Sequence, residues 1–433
     1  MSKTMRVAAT GIAVLMVLAA GTWLAARLWP VPQAHQDALK LLRAAPPVDG
    51  RSGAAALWTL GFDGMDAAAR EQILAEDLTR WQQGAPGRRS QESVAEARFP
   101  RPAITTAFGC GQRGIGCLAA VRADPAAFAA AHVGHQALHA RVAELSQFDH
   151  YRLPFRAYDT DLMTPLPSMR PLFDTLSANA LAHVQGDTPR ALQGTCADIL
   201  TGRRLVGRGD NLLFSMIGAS LLEGQAHLLA DLLAELPADA ALPPVCAAAL
   251  QPMTVPEQSL CTAMRGEFAM GEAALRTSEQ GSALQPLVFN LARTEARFAP
   301  HYAWACDAAA MQALADDRPL REPAPQASGF DCVANALGCR LAAIGAMSMR
   351  PYADRAQDSA AMLRLVAAQR WLRQQPDAPS QALARLPASM RSATRPPALS
   401  PDGRWLQLPR RATAQLSEGI TATLQVPMPA TAP

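Results

Sequence analysis

Residues 211–236 read NLLFSMIGASLLEGQAHLLADLLAEL, and this stretch decides the fold class. Its apolar side chains recur three and four residues apart, a spacing that places them on one broad face of an α-helix. Asp210 precedes the stretch and is the expected N-terminal cap. Glu223, His227 and Asp231 stand four residues apart on the opposite arc. We predict that they form a solvated face, with proton transfer or metal binding as the alternative.

Further helices are predicted on both sides of this one. Asp124-Pro125 is a cap and first-turn pair before Ala126–Leu145, and Thr188-Pro189 repeats it before Ala191–Leu205. Leu176–Gln185 followed by Thr188–Leu205 resembles one helix-turn-helix unit of a tetratricopeptide or similar solenoid. The resemblance covers a single unit and implies helical packing only. The sequence therefore predicts a mainly α fold of packed helical hairpins, weakly solenoid-like.

The C-terminal end has a different pattern. A turn at Pro401-Asp402-Gly403 precedes Arg404–Leu408, and apolar residues alternate with polar ones from Ile420 to Val426. These features predict a small antiparallel β unit, with a disordered Pro-rich end as the alternative. We divide the chain into an anchor or signal segment, an N-terminal helical region, a central helical region and a C-terminal region: 1–30, 31–165, 166–322 and 323–433.

The N-terminus predicts export. Lys3 and Arg6 precede an uncharged run, Val7–Ala26, which is long enough to cross a ~30 Å hydrocarbon core at ~1.5 Å per residue. Positive charge tends to stay in the cytoplasm, so we predict a single-pass helix with its N-terminus inside and the bulk of the chain in the periplasm. Trp23 and Trp29 fall where aromatic side chains meet the outer interface. A cleaved secretory signal is the alternative.

Eight cysteines agree with an oxidising compartment. Cys110 and Cys117 stand in the same C-x6-C pattern as Cys332 and Cys339, so each pair is expected to close a short local loop. The other pairings stay open at this stage. One of them joins Cys246 to Cys261 and leaves Cys196 and Cys306.

Composition limits the classes of partner that we expect and indicates the kind of organism from which the chain comes. The chain has 40 basic and 37 acidic residues, and removing Lys3, Arg6 and Arg27 leaves 37 of each. A neutral exported part has no basic excess with which to bind a polyanion, so nucleic acid is not an expected partner. Lysine occurs only at positions 3 and 40, with arginine elsewhere and abundant alanine. This usage indicates a bacterial source with GC-rich coding.

His132, His135 and His139 are the most informative polar cluster. Spacings of three and four place the imidazoles on one side of a helix, where neutral imidazoles can bind zinc. On one straight helix, however, the first and last lie ~10 Å apart along the axis. A metal site therefore needs a ligand from elsewhere, such as His150 or Glu144. Histidines at a helix-packing border are the alternative.

No Gly-x-Ser-x-Gly elbow, His-Glu-x-x-His motif or Walker loop is present. The sequence thus favours a non-enzymatic role, without a cofactor, for an inner-membrane-anchored periplasmic helical protein. Its expected partners are the inner membrane and unidentified envelope proteins, which it binds or scaffolds. The alternative is an anchored periplasmic hydrolase that uses zinc through His132, His135 and His139.

Overall fold

The computed structural model describes residues 3–44, 48–104, 110, 114–158, 161–277, 284–324, 326, 328–413 and 422–428. The described chain is mainly helical, as predicted. The helices run in this order: α1 Lys3–Leu28, α2 Gln33–Arg43, α3 Ala54–Trp58, α4 Ala67–Gln83, α5 Cys117–Ala123, α6 Pro125–Ala131, α7 Gln136–Leu145, α8 Pro171–Val184, α9 Thr188–Arg208, α10 Leu212–Glu235, α11 Pro244–Ala249, α12 Val255–Gln258, α13 Cys261–Thr277, α14 Leu291–Phe298, α15 Pro300–Ala303, α16 Ala308–Ala315, α17 Ala336–Gly345, α18 Arg350–Arg373 and α19 Pro379–Ala382.

Two of these helices are long and apolar enough to cross a membrane, and their surroundings differ. The side chains of α1 are exposed along almost its whole length, as expected of a spanning helix or a signal sequence. In contrast, α10 is buried inside the protein and is therefore a core helix. Its N-terminal cap is Asn211, whose side chain accepts a hydrogen bond from the backbone N–H of Phe214. The expected cap, Asp210, instead accepts from the backbone N–H of Leu153.

Helix α10 packs along α9 with backbone-to-backbone contact. A Cβ atom on Gly202 would lie 3.0 Å from the carbonyl oxygen of Gly218, and one on Gly218 would lie 2.6 Å from Cβ of Leu205. Helix α8 packs against the outer side of α9, and α18 packs against α10. Because α10 is covered from several directions, its polar arc is not solvated: Glu223 and His227 are buried. The predicted solvated face is wrong.

Four disulfides join all eight cysteines. The two C-x6-C pairs close local loops, Cys110–Cys117 and Cys332–Cys339. The pairing of Cys246 with Cys261 is wrong, because α11 packs on α9 and brings Cys246 to Cys196. Cys261 bonds Cys306. The two long-range disulfides therefore join α9 to α11, and the start of α13 to the residues that follow α15.

The C-terminal β unit is a three-stranded antiparallel sheet in the order β1 Ala398–Leu399, β2 Trp405–Pro409 and β3 Thr423–Pro427. Leu406 pairs with Val426 and Leu408 with Leu424, and all four side chains are buried against the helical core. Ile420, where the predicted alternation begins, lies outside the described residues. The prediction of a small β unit is confirmed, while the region boundaries and the solenoid-like repeat stay predictions.

A buried charge network holds the segment before β1 and the residues that follow β2. The guanidinium of Arg395 binds Asp317 at 2.7 Å and Asp358 at 2.5 Å, and these side chains are nearly inaccessible. Arg364 and Arg411 also bind Asp317. Because each buried charge has an opposite partner, the network can hold the C-terminal segment on α18 without an unpaired charge in the interior.

Candidate metal centre

The three histidines do not lie on one straight helix. Asp124 caps α6 by accepting from the N–H of Ala127, and α6 ends at Ala131. Gly134 then takes a left-handed conformation, φ +81°, and α7 starts at Gln136 with His135 as its cap. Glycine suits this turn because its φ is one that L side chains rarely adopt. The predicted continuous helix over Ala126–Leu145 is therefore broken in the middle of the histidine cluster.

The break brings the three imidazoles around one carboxylate oxygen. Oδ2 of Asp174 lies 2.7 Å from Nε2 of His139, 3.0 Å from Nδ1 of His135 and 3.4 Å from Nδ1 of His132. One ligand atom from each of the four residues lies within 4.8 Å of all the others. We call His132, His135, His139 and Asp174 the candidate metal centre. The objection from a straight helix does not hold, because the turn at Gly134 changes the direction of the chain.

The fourth residue is not one that the sequence suggested. His150 forms a bridge with Ser52 and its carbonyl oxygen accepts from Gly53, and Glu144 binds Arg70 at 2.9 Å. Asp174 was missed because it lies 35 residues beyond His139. Its signal in the sequence is weak but present: it is the sole acidic residue of α8, a helix with a largely buried face. A charge in such a helix needs a partner.

In His132 and in His135, one ring nitrogen contacts a group outside the centre and the other faces Asp174. Nε2 of His135 lies 3.1 Å from the carbonyl oxygen of Ala103. Because a carbonyl oxygen can only accept a hydrogen bond, this nitrogen is assigned the proton. Nε2 of His132 contacts the hydroxyl of Ser177 at 2.9 Å. The buried Nδ1 of His132 faces Oδ2 of Asp174 at 3.4 Å without forming a well-aligned hydrogen bond. Metal-binding histidines are commonly held in this way, with the second nitrogen bonded to a carbonyl or hydroxyl.

The carboxylate of Asp174 faces imidazoles rather than an arginine or a lysine. Burial opposes ionisation, but the nearby imidazoles of His132 and His139 outweigh it and hold the pKa of Asp174 well below its usual range. Across the described ranges, no arginine or lysine forms an ion pair with this carboxylate, and the groups that face it are the three imidazoles. The position in the first turn of α8 adds a favourable helix dipole. A carboxylate facing the lone pair of the Nδ1 of His135 requires a cation between them, either a proton or a metal ion.

The centre is open on one side. His132 and His139 form part of the wall of a cleft of about 210 Å³ between the α6–α7 turn and α8. Gln136, Gln185 and Arg190 supply polar groups along the same cleft. A second cluster, Asp331 with Cys332 and Cys339, also brings possible ligands together. It is no metal site in this oxidised protein because its two sulfurs are joined in a disulfide.

The polar row on α10 lines a different cavity. His227 and Asp231 face a pocket of about 450 Å³ formed by α5, α10 and the sheet. Glu223 is buried and binds Arg410 at 2.7 Å. Burial lowers the pKa of His227 to about 4. Burial, with a further contribution from Glu235, raises the pKa of Asp231 to about 6. We call this cavity the α10 pocket.

The glycine at the helix break provides a test of how the centre forms. Gly134→Ala places a Cβ in open space but strains the left-handed backbone, so we expect a loss of about 1 kcal/mol in the free energy of unfolding. Gly186, φ +90°, is a matched control with the same open surroundings at the α8–α9 turn. Both alanine variants should lose similar stability in chemical denaturation.

The two variants should differ in zinc affinity measured by competition with a chromogenic chelator. We expect Gly134→Ala to weaken zinc binding about tenfold, because His132 moves relative to His139, and Gly186→Ala to leave it unchanged. Equal zinc affinities in both variants would contradict a centre organised by this turn.

Three imidazole nitrogens and one carboxylate oxygen form a donor set that suits Zn²⁺ better than Ca²⁺ or Mg²⁺, which prefer oxygen. No family model, curated protein or solved structure matches the chain. The assignment to zinc therefore depends on the donor atoms themselves and on their convergence.

Proposed function

We propose that this chain is an exported bacterial protein, held in the inner membrane by α1, that works through a zinc ion bound at the candidate metal centre. The observation that carries the proposal is the convergence of three imidazole nitrogens on a buried carboxylate that has no arginine or lysine partner among the described residues. A zinc ion would balance this charge and give the Nδ1 of His132 a partner.

The location is supported by the contacts at the end of α1. Nε1 of Trp23 donates to the carbonyl oxygen of Leu287 at 2.7 Å, and Arg293 donates to the carbonyl oxygen of Arg27 at 2.6 Å. These contacts bind the helix to the folded body and favour an uncleaved anchor over a signal peptide that is removed. Four disulfides are consistent with the oxidising periplasm.

Hydrolysis fits the centre if the zinc ion takes a water as a fifth ligand on the side of the cleft, because with the four side chains alone its shell is that of a structural site. Zinc lowers the pKa of a bound water to about 7, which gives a hydroxide at neutral pH. Such a hydroxide on the side of His132 and His139 would face the cleft. Held by His132, His135, His139 and Asp174, the zinc ion would supply a Lewis acid and an activated water for the hydrolysis of an ester or amide. Gln136 and Arg190 are placed to contact such a substrate.

Metal analysis tests the proposal. The full chain is purified in detergent and dialysed against zinc buffer. Inductively coupled plasma mass spectrometry should then find about one zinc ion per chain. His135→Ala should retain less than about a tenth of it, because one ligand is lost. His183→Ala is the matched control: this histidine lies on α8 with Asp174 but binds Glu235 and Thr188 instead.

The same samples should hydrolyse p-nitrophenyl acetate in proportion to their zinc content. Zinc content unaffected by His135→Ala would contradict the metal centre. Zinc that binds at the centre without accelerating ester hydrolysis would contradict the enzymatic role and indicate a structural ion.

A binding role, which the sequence favoured, is a second candidate supported by the α10 pocket. The pairs Glu223–Arg410 and Glu235–Arg122 balance their own charges, and the carboxylate of Asp231 remains as the excess charge beside apolar walls. The indole of Trp405 also lines the cavity. A ligand with an apolar body and one cationic group fits these surroundings, since an ammonium can contact both a carboxylate and an aromatic face.

The fluorescent amine dansylcadaverine is a suitable probe of this pocket. We expect saturable binding, weakened at least about tenfold by Ala119→Trp, whose side chain would fill the cavity from its exposed edge. Ala120→Trp is the control, since Ala120 is equally exposed on α5 but does not line the cavity. Equal binding by both variants, or none by the parent protein, would exclude this role for the α10 pocket.

A further inference from the structure

The point where α1 meets the folded body is fixed by several contacts. Trp23 binds the backbone at Leu287, and the rings of Trp29 and Phe330 pack edge to face with their centroids 5.3 Å apart. The segments that receive α1 are thus 284–293 and the 3-10 turn Phe330–Val333. If α1 crosses a bilayer, these segments lie at its surface.

These segments and the neighbouring helix α17 with the residues that follow it carry a cluster of exposed apolar side chains. Leu284 is 70% exposed, Ile344 is 69% exposed and Met347 is 70% exposed. We call the whole set the apolar rim: Leu284, Leu287, Val288, Phe330, Val333, Leu337, Ile344 and Met347. Its parts are joined, because the N–H of Leu337 donates to the carbonyl oxygen of Val288 and the Cys332–Cys339 disulfide binds the 3-10 turn to α17. Eight exposed apolar side chains in one joined region of a protein surface indicate an interaction site.

Helix α17 shows how the rim faces outward. Leu337, Leu341 and Ile344 fall at positions i, i+4 and i+7 and therefore share one side of the helix. Cys339 and Ala342 lie on the opposite side and are buried. The helix is thus anchored by its small residues and by Leu341, which packs partly against the core, while Leu337 and Ile344 are exposed.

The charges around the rim match a lipid surface. The one acidic residue of the rim segments, Asp331, is paired with Arg297, and 284–294 and 332–353 contain none. Arg340 and Arg350 are exposed in the second stretch. Arginine next to exposed aliphatic and aromatic residues is the pattern of a surface that lies in the headgroup region of a membrane.

We propose that the apolar rim rests in the periplasmic leaflet of the bilayer that α1 crosses, so that the protein is held at the membrane by a second, interfacial contact. This inference rests on the anchor assigned under the proposed function. The rim is continuous with the exit of α1, which is why lipid is its occupant rather than a second copy of the chain. The contact would fix the orientation of the folded body relative to the membrane.

Lipid photocrosslinking tests this proposal with the full chain. The protein is reconstituted in phosphatidylcholine–phosphatidylglycerol vesicles that contain a diazirine-acyl phosphatidylcholine, irradiated, and mapped by peptide mass spectrometry. We expect lipid adducts on α1 and also on the rim segments 284–288 and 337–347. Leu284→Glu with Ile344→Glu should abolish the rim adducts and leave those on α1. Met163→Glu, a change at an apolar residue that is 66% exposed outside the rim, should leave both unchanged.

Adducts confined to α1 would overturn the rim contact while leaving the anchor intact, and this result would also be seen if a second copy of the chain covered the rim. An absence of adducts from α1 as well would instead overturn the anchor on which the inference rests.

Discussion

The close contact between α9 and α10 is the constraint on which the rest of the structure depends. Gly202 and Gly218 allow the two backbones to approach to a distance that any side chain would prevent. A buried carboxyl extends this contact to α8: Oδ2 of Asp198 accepts from Thr175 at 2.6 Å and from Gln225 at 2.7 Å. Burial raises the pKa of Asp198 to about 7. Thr175 follows Asp174 in the chain, so the packing of three helices sets where the fourth ligand of the metal centre lies.

The features that could be predicted from the sequence are those that depend on a pattern of neighbouring residues. The apolar run from Val7, the periodicity of α10, the alternation before Val426 and the two C-x6-C loops each depend on neighbouring residues. All of them specify an element or a short loop. None specifies which element packs on which, and that is where the predictions ended.

The errors have the same physical origin. The row Glu223, His227 and Asp231 has the pattern of a solvated face, but its surroundings are decided by α5 and the sheet, which cover that side. Cys246 bonds Cys196 because α11 folds back onto α9, a contact that spacing does not reveal. The histidine cluster was recognised, yet its fourth member came from α8, and the turn at Gly134 that makes convergence possible was not expected within a helix.

The candidate metal centre and the proposed membrane contact lie on different parts of the folded body. One end of the folded body holds the end of α1 and the apolar rim, while the cleft beside His132 and His139 is formed by other helices, α6, α7 and α8. The two sites use different side chains, so each can be removed without changing the other.

The central claim is that four named side chains bind one zinc ion, and X-ray absorption at the zinc edge tests it most directly. The zinc-loaded full chain should give a first shell of nitrogen and oxygen at ~2.0–2.1 Å with the outer scattering of imidazole rings and no sulfur. Asp174→Asn should change the first shell while the imidazole scattering remains. A spectrum without imidazole scattering, or one unchanged from zinc in buffer, would contradict the account.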